Sequence, residues 1–489
     1  MSLINTDKLF SYFIYDPNKA FTFLSPFFLL LFTAFLSIYV LVYKNHYAKI
    51  LYVTAFSLFF YYKSSGLYFS LLLASAVVDF SLAHWLNATQ TSWKRKSILT
   101  LSVLVNLSLL GYFKYTNFFL STIAQLNQTE FVALKIFLPV GVSFFTFQSI
   151  SYIIDIYRDE IKPLTNFLEY IFFISFFPQL VAGPIVRAKD FIPQIKQTPF
   201  VSDESLSKAL FLIICGVVKK AIISDYISIN FVDRVFDNPT LYTGLENLLA
   251  VYGYAIQIYA DFSGYTDIAI GVALLMGFRL PVNFNAPYVS SSITEFWRRW
   301  HISLSTWLKD YLYIPLGGNR NGKIRQYFNL FTTMLLGGLW HGASFNFILW
   351  GALHGIALGI DKYIKDTFAI KSNKWTSLLG ILFTFHFVCF CWILFRAKSF
   401  ADVQLVLIQI FQHFHPEIFI QFVTGYKVVF MLMISAMTIH FVPFTWHVKI
   451  EKLLESTPIY LKSLVLVLII YIVAQVQSSD LQPFIYFQF

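Results

Sequence analysis

SSSITEFWRRWHISLSTWLKDYLYIPLGGNRNGKIRQYFNLFTTMLLGGLWHGASFNFILWGALH, residues 290–354, is the stretch around which the rest of the chain is organised. It holds two histidines set among tryptophans, His301 after Trp300 and His341 after Trp340. Between them lie the densest basic charge and a glycine-rich turn, Gly317 to Gly322. An apolar helix that carries histidine, arginine and repeated glycine is not built only to cross lipid, since each polar group there needs a partner.

Working outward, the surroundings read as membrane. The chain has 489 residues, 57% hydrophobic, 19% aromatic and 13% charged, with a mean hydropathy of +0.63. Soluble domains carry about 25% charged residues, so this much apolar surface requires lipid as its solvent. Apolar runs near 21–43, 49–62, 66–86, 97–120 and 131–156 precede the central stretch, as do others at 206–232 and 244–278; runs near 375–396, 426–448 and 461–478 follow it. A helix needs about 20 apolar residues to cross the hydrocarbon, and the expectation is roughly a dozen membrane segments. The runs are continuous and do not alternate with period 2, so helices rather than barrel strands satisfy the backbone. The first run, Phe21–Tyr43, is too long for a signal-peptide core and reads as a retained span. The fold class expected is an all-α polytopic membrane protein.

The formal charge of +10 sits largely in short loops, as in Lys94-Arg95-Lys96 and Arg320 to Arg325. Positive-inside topology accounts for it, places both segments on the cytoplasmic side and leaves no case for nucleic acid. Cys215, Cys389 and Cys391 fall inside apolar runs. The spacing of Cys389 and Cys391 puts them on different helix faces, against a zinc site or a disulfide. No histidine pair has HExxH spacing, and Gly317 to Gly322 lacks the Gly-Lys-Ser/Thr ending of a phosphate loop. No metal and no permanently bound cofactor are expected.

Two other stretches depart from plain span. Pro178, Gly183, Pro184 and Pro193 break the apolar segment 166–199, a candidate re-entrant or cavity-lining segment with Arg187 at its mouth. Asp261 and Asp267 flank Gly264 in YADFSGYTDIAIG. They lie about 9 Å apart along a helix and more than about 200° around it, so one helix cannot aim both at one ion. The plainer expectation is that each caps a helix broken near Gly264.

Written as one helix, 294–311 puts Trp297, His301, Leu304 and Leu308 on a single apolar stripe, with Arg298, Ser305 and Lys309 on another face. From Glu295 to Arg325 there are six Lys/Arg against two acids, which suits attraction of a polyanion such as coenzyme A and equally suits topology alone. Gly338 and Gly342 let a backbone or a substrate approach beside His341. A histidine buried there can act as a general base, or pack with a hydrogen bond to a carbonyl. His354 stands 13 residues further on, about 20 Å along a continuous helix, out of reach unless the helix breaks. His386, His440 and His447 read as structural or interfacial.

At FFPQLVAGPIVRAKDFIPQ (176–194), YADFSGYTDIAIG (259–271), FRLPVNFNAPYVSSSITEFWRRWHISLSTWLKDYLYIPLGGNR (278–320) and MLLGGLWHGASFNFILWGALHG (334–355), the sequence resembles the membrane-bound O-acyltransferase (MBOAT) family. It is most similar to the bacterial alginate and peptidoglycan O-acetyltransferase branch. The resemblance is detailed over about 173–396 and implies a single domain over 1–489, a ring of tilted helices with re-entrant segments around a central tunnel. It implies His341 as the catalytic histidine, His301 as a second tunnel histidine, and Trp297, Arg298, Trp300, Trp340, Asp261 and Asn285 as candidate substrate- and donor-lining residues. It further implies an acyl thioester donor such as acetyl-CoA on the cytoplasmic side of a bacterial inner membrane. The acyl group would pass to an SGNH-type partner and a polysaccharide acceptor outside. The segment Phe484-Ile485-Tyr486-Phe487-Gln488-Phe489, within about 479–489, resembles the F-x-Y-F-x-F ending of the accessory peptide of teichoic-acid D-alanylation. That resemblance implies Tyr486 as an acyl carrier. An anchor at the membrane interface is the alternative for this segment. A lipid or protein acceptor, or a transporter carrying Asp261 and Asp267 in its pathway, are the alternatives for the chain.

Overall fold

The computed structural model describes residues 11–17, 21–368, 373–476 and 484. It is helical, with no strand among the described residues. The protein is an all-α polytopic membrane protein. Among the described residues, five helical stretches are long and apolar enough to cross a membrane: His46–Ala88, Ser92–Leu126, Gly244–Leu275, Phe345–Thr367 and Lys374–Arg396. The pair Pro416–Gly425 and Lys427–His440, bent by 99°, is a broken span or a re-entrant loop. These spans are fewer than the apolar runs suggest: runs 49–62 and 66–86 fall in one stretch, run 21–43 gives the shorter helix Pro26–Val42, and several other runs are broken. The run 131–156 becomes helix only at Val142, and 166–199 is divided among Phe167–Ser175, Phe177–Leu180 and Ala188–Lys196. The run 206–232 loosens into wide i→i+5 turns at Val218–Ser224 and Ser228–Val232.

Chain contacts divide the molecule into two compact units. The first comprises Met1–Ile213 and Ile268–Pro281. Its Pro26–Val42 helix starts where the sequence says it should, with Ser25 accepting from the Phe28 N–H and proline in the first turn. Phe28, Phe35 and Phe60 pack around Phe177 at the proline break. Lys49 donates to the Ile195 and Gln197 carbonyls at 2.8 and 2.7 Å, meeting the orphan acceptors that end the Ala188–Lys196 helix. Asp79 is fully buried, yet it accepts from Asn106 at 2.7 Å and from Ser75 and Ser102 at 3.3 Å. Those donors are the condition on which a carboxyl group survives inside such a bundle.

The second unit comprises Ile214–Asp267 and Val282–Phe489, and it carries both tryptophan–histidine pairs. Its centre is aromatic: Trp300, Trp350 and Trp392 are each 1% exposed. The Lys374–Arg396 helix that brings Trp392 begins in a capping box, Asn373 with Thr376. Cys389 and Cys391 are buried on it as free thiols.

Gly264 does not break its helix, contrary to expectation: Gly244–Leu275 is continuous. A Cβ at Gly264 would meet the Gly216 carbonyl and the Lys220 nitrogen, so glycine lets a second backbone come close. That approach supplies the cations. Lys220 bonds Asp261 at 2.5 Å and Asp225 at 2.7 Å, and Lys219 bonds Asp267 at 2.6 Å. The two aspartates go to different lysines, as their angular separation requires. They are neutralised charges of the bundle rather than helix caps.

Candidate active site

The Lys323–His341 helix ends at the histidine itself, because Gly342 is extended and Phe345–Thr367 folds back along it. A Cβ at Gly338 would strike the Phe347 carbonyl and the Gly351 backbone, and Gly342 lies under the Phe347 ring. The small residues beside His341 thus admit the returning helix. His341 is 4% exposed and rests on Trp340, Trp350 and Phe395, with ring centroids 4.9, 5.1 and 5.4 Å away. The break also brings in His354, which a continuous helix would have carried away. It packs on Trp350 at 4.6 Å and accepts from Trp297 Nε1–H on Nδ1 at 3.3 Å.

His301 does not sit within one helix spanning 294–311. Ile293–Arg299 is capped by Ser292 and closed by the Arg299–Glu295 ion pair, and a second helix, Ile302–Leu308, follows. Between them Trp300 is extended and His301 is left-handed, at φ 42° and ψ 56°. That conformation costs an L-residue on the order of 1 kcal/mol. Asn283 offsets it: its backbone carbonyl accepts from Ile302 N–H at 2.9 Å, and its Oδ1 accepts from Ser303 N–H at 3.1 Å and Ser303 Oγ at 2.7 Å. Trp297, His301, Leu304 and Leu308 are all still buried, so the stripe holds although the single helix does not.

The same asparagine sets the imidazole. His301 Nδ1 lies 3.3 Å from Asn283 Oδ1. Ser303 N–H can only donate, which assigns that atom as the amide oxygen, an acceptor. His301 then carries its proton on Nδ1 and keeps the lone pair on Nε2. The ring is fully buried, edge-on to Phe262 at 4.6 Å and 6.3 Å from Trp340. Both histidines therefore lie against the Trp340 indole, one of them oriented to accept a proton.

Of the candidate lining residues, Trp340 touches His301 and His341, Trp297 touches His354, and Trp300 packs on Trp392. Asp261 turns to Lys220, while its neighbour Phe262 faces His301. Arg298 and Asn285 are exposed; the ordered guanidinium is that of Arg299, on the Asn285 carbonyl at 3.1 Å. His440, expected to be structural or interfacial, is structural: it is buried, accepts from the Tyr288 N–H at 3.0 Å and packs on Tyr259 at 4.7 Å. Nothing in its sequence neighbourhood signals this. Nor did Asn283 stand out, as one polar residue in a loop. Among the described residues no three His, Cys, Asp or Glu are placed to hold a metal ion. Tyr486 lies outside the described residues. Phe484, two positions before it, is 1% exposed and packs on Phe262 at 5.5 Å and Tyr265 at 4.8 Å.

Residues 13–401 match the membrane-bound O-acyltransferase (MBOAT) family. The chain belongs to this family. As a family member it is a membrane acyltransferase, and relatives match over most of its length. It is 38% identical over 390 residues to the peptidoglycan O-acetyltransferase of Helicobacter pylori, covering 74% of each chain. It is 39% identical over 429 residues to the probable alginate O-acetylase AlgI of Pseudomonas putida, covering 80% of this chain and 84% of the relative. It is 32% identical over 277 residues to the teichoic acid D-alanyltransferase of Bacillus subtilis, covering 53% and 69%.

Proposed function

We propose that this acyltransferase moves an acetyl group from a cytoplasmic thioester, acetyl-CoA, across a bacterial inner membrane for O-acetylation of an extracytoplasmic polysaccharide. One observation carries the reading: His301 and His341 lie on one buried indole, Trp340, and Phe484 is seated on the Phe262 wall of His301. A phenol with a pKa of about 10 needs a base to attack a thioester at neutral pH. His341 takes the Tyr486 proton, and His301, with its Nε2 lone pair, assists the transfer. The phenolic oxygen bonds to the acyl carbon, the carbon–sulfur bond breaks, and the thiolate leaves with the proton the imidazole had taken. The acyl-Tyr486 ester then passes its acetyl group to an SGNH-type partner outside, which esterifies the polysaccharide. The names of the relatives support a surface glycan such as alginate or peptidoglycan as acceptor. Transport of an intact solute has less support, since Asp261 and Asp267 are matched by lysines.

The test is radiolabelled acetyl-CoA with the purified protein. Wild type is expected to become labelled on Tyr486, while Tyr486→Phe and a folded His341→Ala take up no label. Normal acceptor acetylation by Tyr486→Phe, or normal labelling of His341→Ala, overturns the reading.

A further inference from the structure

Trp350 and His354 lie four residues apart on the helix that returns past His341, so their side chains share one face, one turn apart. They are 1% and 0% exposed, and their rings touch at 4.6 Å. Each presents a buried N–H that has no hydrogen-bond partner among the described residues: Trp350 Nε1 and His354 Nε2. The His354 assignment follows from Trp297, whose indole can only donate and occupies Nδ1, leaving the proton of a neutral ring on Nε2. Buried N–H groups are almost always partnered, and those that are not mark sites of chemistry or binding. Here the Trp350 ring lies directly against the histidine assigned as base, and His354 lies against Trp350.

Two donors with no acceptor between them call for a ligand that brings acceptors. Their spacing along the helix is about 6 Å. In a thioester of the pantetheine type, R–CO–S–CH2–CH2–NH–CO–, the acyl and first amide carbonyl carbons are separated by a four-atom spacer of similar reach. We propose that Trp350 and His354 are donor-binding residues: Trp350 Nε1–H takes the acyl carbonyl oxygen next to His341, and His354 Nε2–H takes the first amide carbonyl of the pantetheine arm. This rests on the thioester reading above and deepens it, because the protein then recognises the arm and not only the acyl group. The arm is common to coenzyme A and to carrier-protein thioesters, so this contact accepts both.

The experiment compares S-acetyl-N-acetylcysteamine, which has the amide, with S-pentyl thioacetate, which has the same length and lacks it. Thiol release is followed with the full-length protein in detergent. Wild type is expected to favour the amide donor by about tenfold to a hundredfold in kcat/KM, the range for one buried hydrogen bond. His354→Phe should bring that ratio close to one, and His354→Gln, which retains an N–H, should restore part of it. Trp350→Phe should lower both donors alike, by about tenfold, because both carry the acyl carbonyl. The ratio is taken within one protein, so a lower folded fraction does not move it. A wild-type ratio retained by His354→Phe overturns the assignment of His354; a Trp350→Phe protein with unchanged rates overturns that of Trp350. Wild type that turns over neither these thioesters nor acetyl-CoA overturns the thioester reading instead.

Discussion

Asn283 does more at the site than its position in a loop would suggest. Its carbonyl and amide oxygens start the Ile302–Leu308 helix from outside, hold His301 in a left-handed conformation and orient its ring. Removing the amide should free the ring to adopt either tautomer while leaving the fold in place. Asn283→Ala is expected to lower kcat by on the order of tenfold to a hundredfold, a fraction of what proton transfer by a positioned side chain supplies. Asn283→Asp, which keeps the acceptor, should recover most of the loss. The measurement is kcat for acetyl transfer in protein that elutes as a single folded species. An Ala variant with wild-type kcat would reduce Asn283 to a helix cap.

At the scale of elements, one close helix approach settles which charges meet. Gly264 lets Gly216–Lys220 come near, and Lys220 enters between Asp261 and Asp225. One cation facing two carboxylates makes the roles unequal. Lys220→Met leaves two buried carboxylates without their cation and is expected to cost about 3–5 kcal/mol. Asp225→Asn leaves a matched Lys220–Asp261 pair and one neutral partner, so its cost should stay near that of an ordinary hydrogen bond, about 1 kcal/mol. Thermal unfolding in detergent compares the two. Equal destabilisation would show that the lysine is not the centre of the network.

For the molecule as a whole, the proposed relay joins an aromatic cluster drawn from distant parts of the chain to the segment proposed to supply the acyl acceptor. Phe484 is the described point of that junction, held by Phe262 and Tyr265. A covalent link gives such a segment a millimolar-scale effective concentration. Protein truncated after Ser478 should therefore lose transfer and regain part of it with a synthetic peptide of residues 479–489 at about millimolar concentration. The same peptide carrying Phe484→Ala should rescue far less, since filling an aromatic slot contributes about 3 kcal/mol or more. Label transfer from acetyl-CoA to the peptide is the readout. Equal rescue by both peptides would mean that Phe484 does not dock the segment.

Much of this was legible in the residues. Composition and run length required helices in lipid, both Trp-His pairs are buried, and the stripe Trp297, His301, Leu304, Leu308 is buried as its period demands. Helical period and hydropathy are properties of neighbours along the chain, so sequence alone determines them. What only the tertiary structure decided depends on partners far apart. The break at Trp300–His301 goes with hydrogen bonds accepted by Asn283, 18 residues from His301. The fate of Asp261 lies with Lys220, 41 residues away. His341 and His354 meet the same indole, Trp350, because the chain turns at Gly342 and glycines at 338 and 351 let the helices close. A hydrogen bond or an ion pair is worth forming in lipid only when its partner arrives, and arrival is set by packing, which no local pattern records.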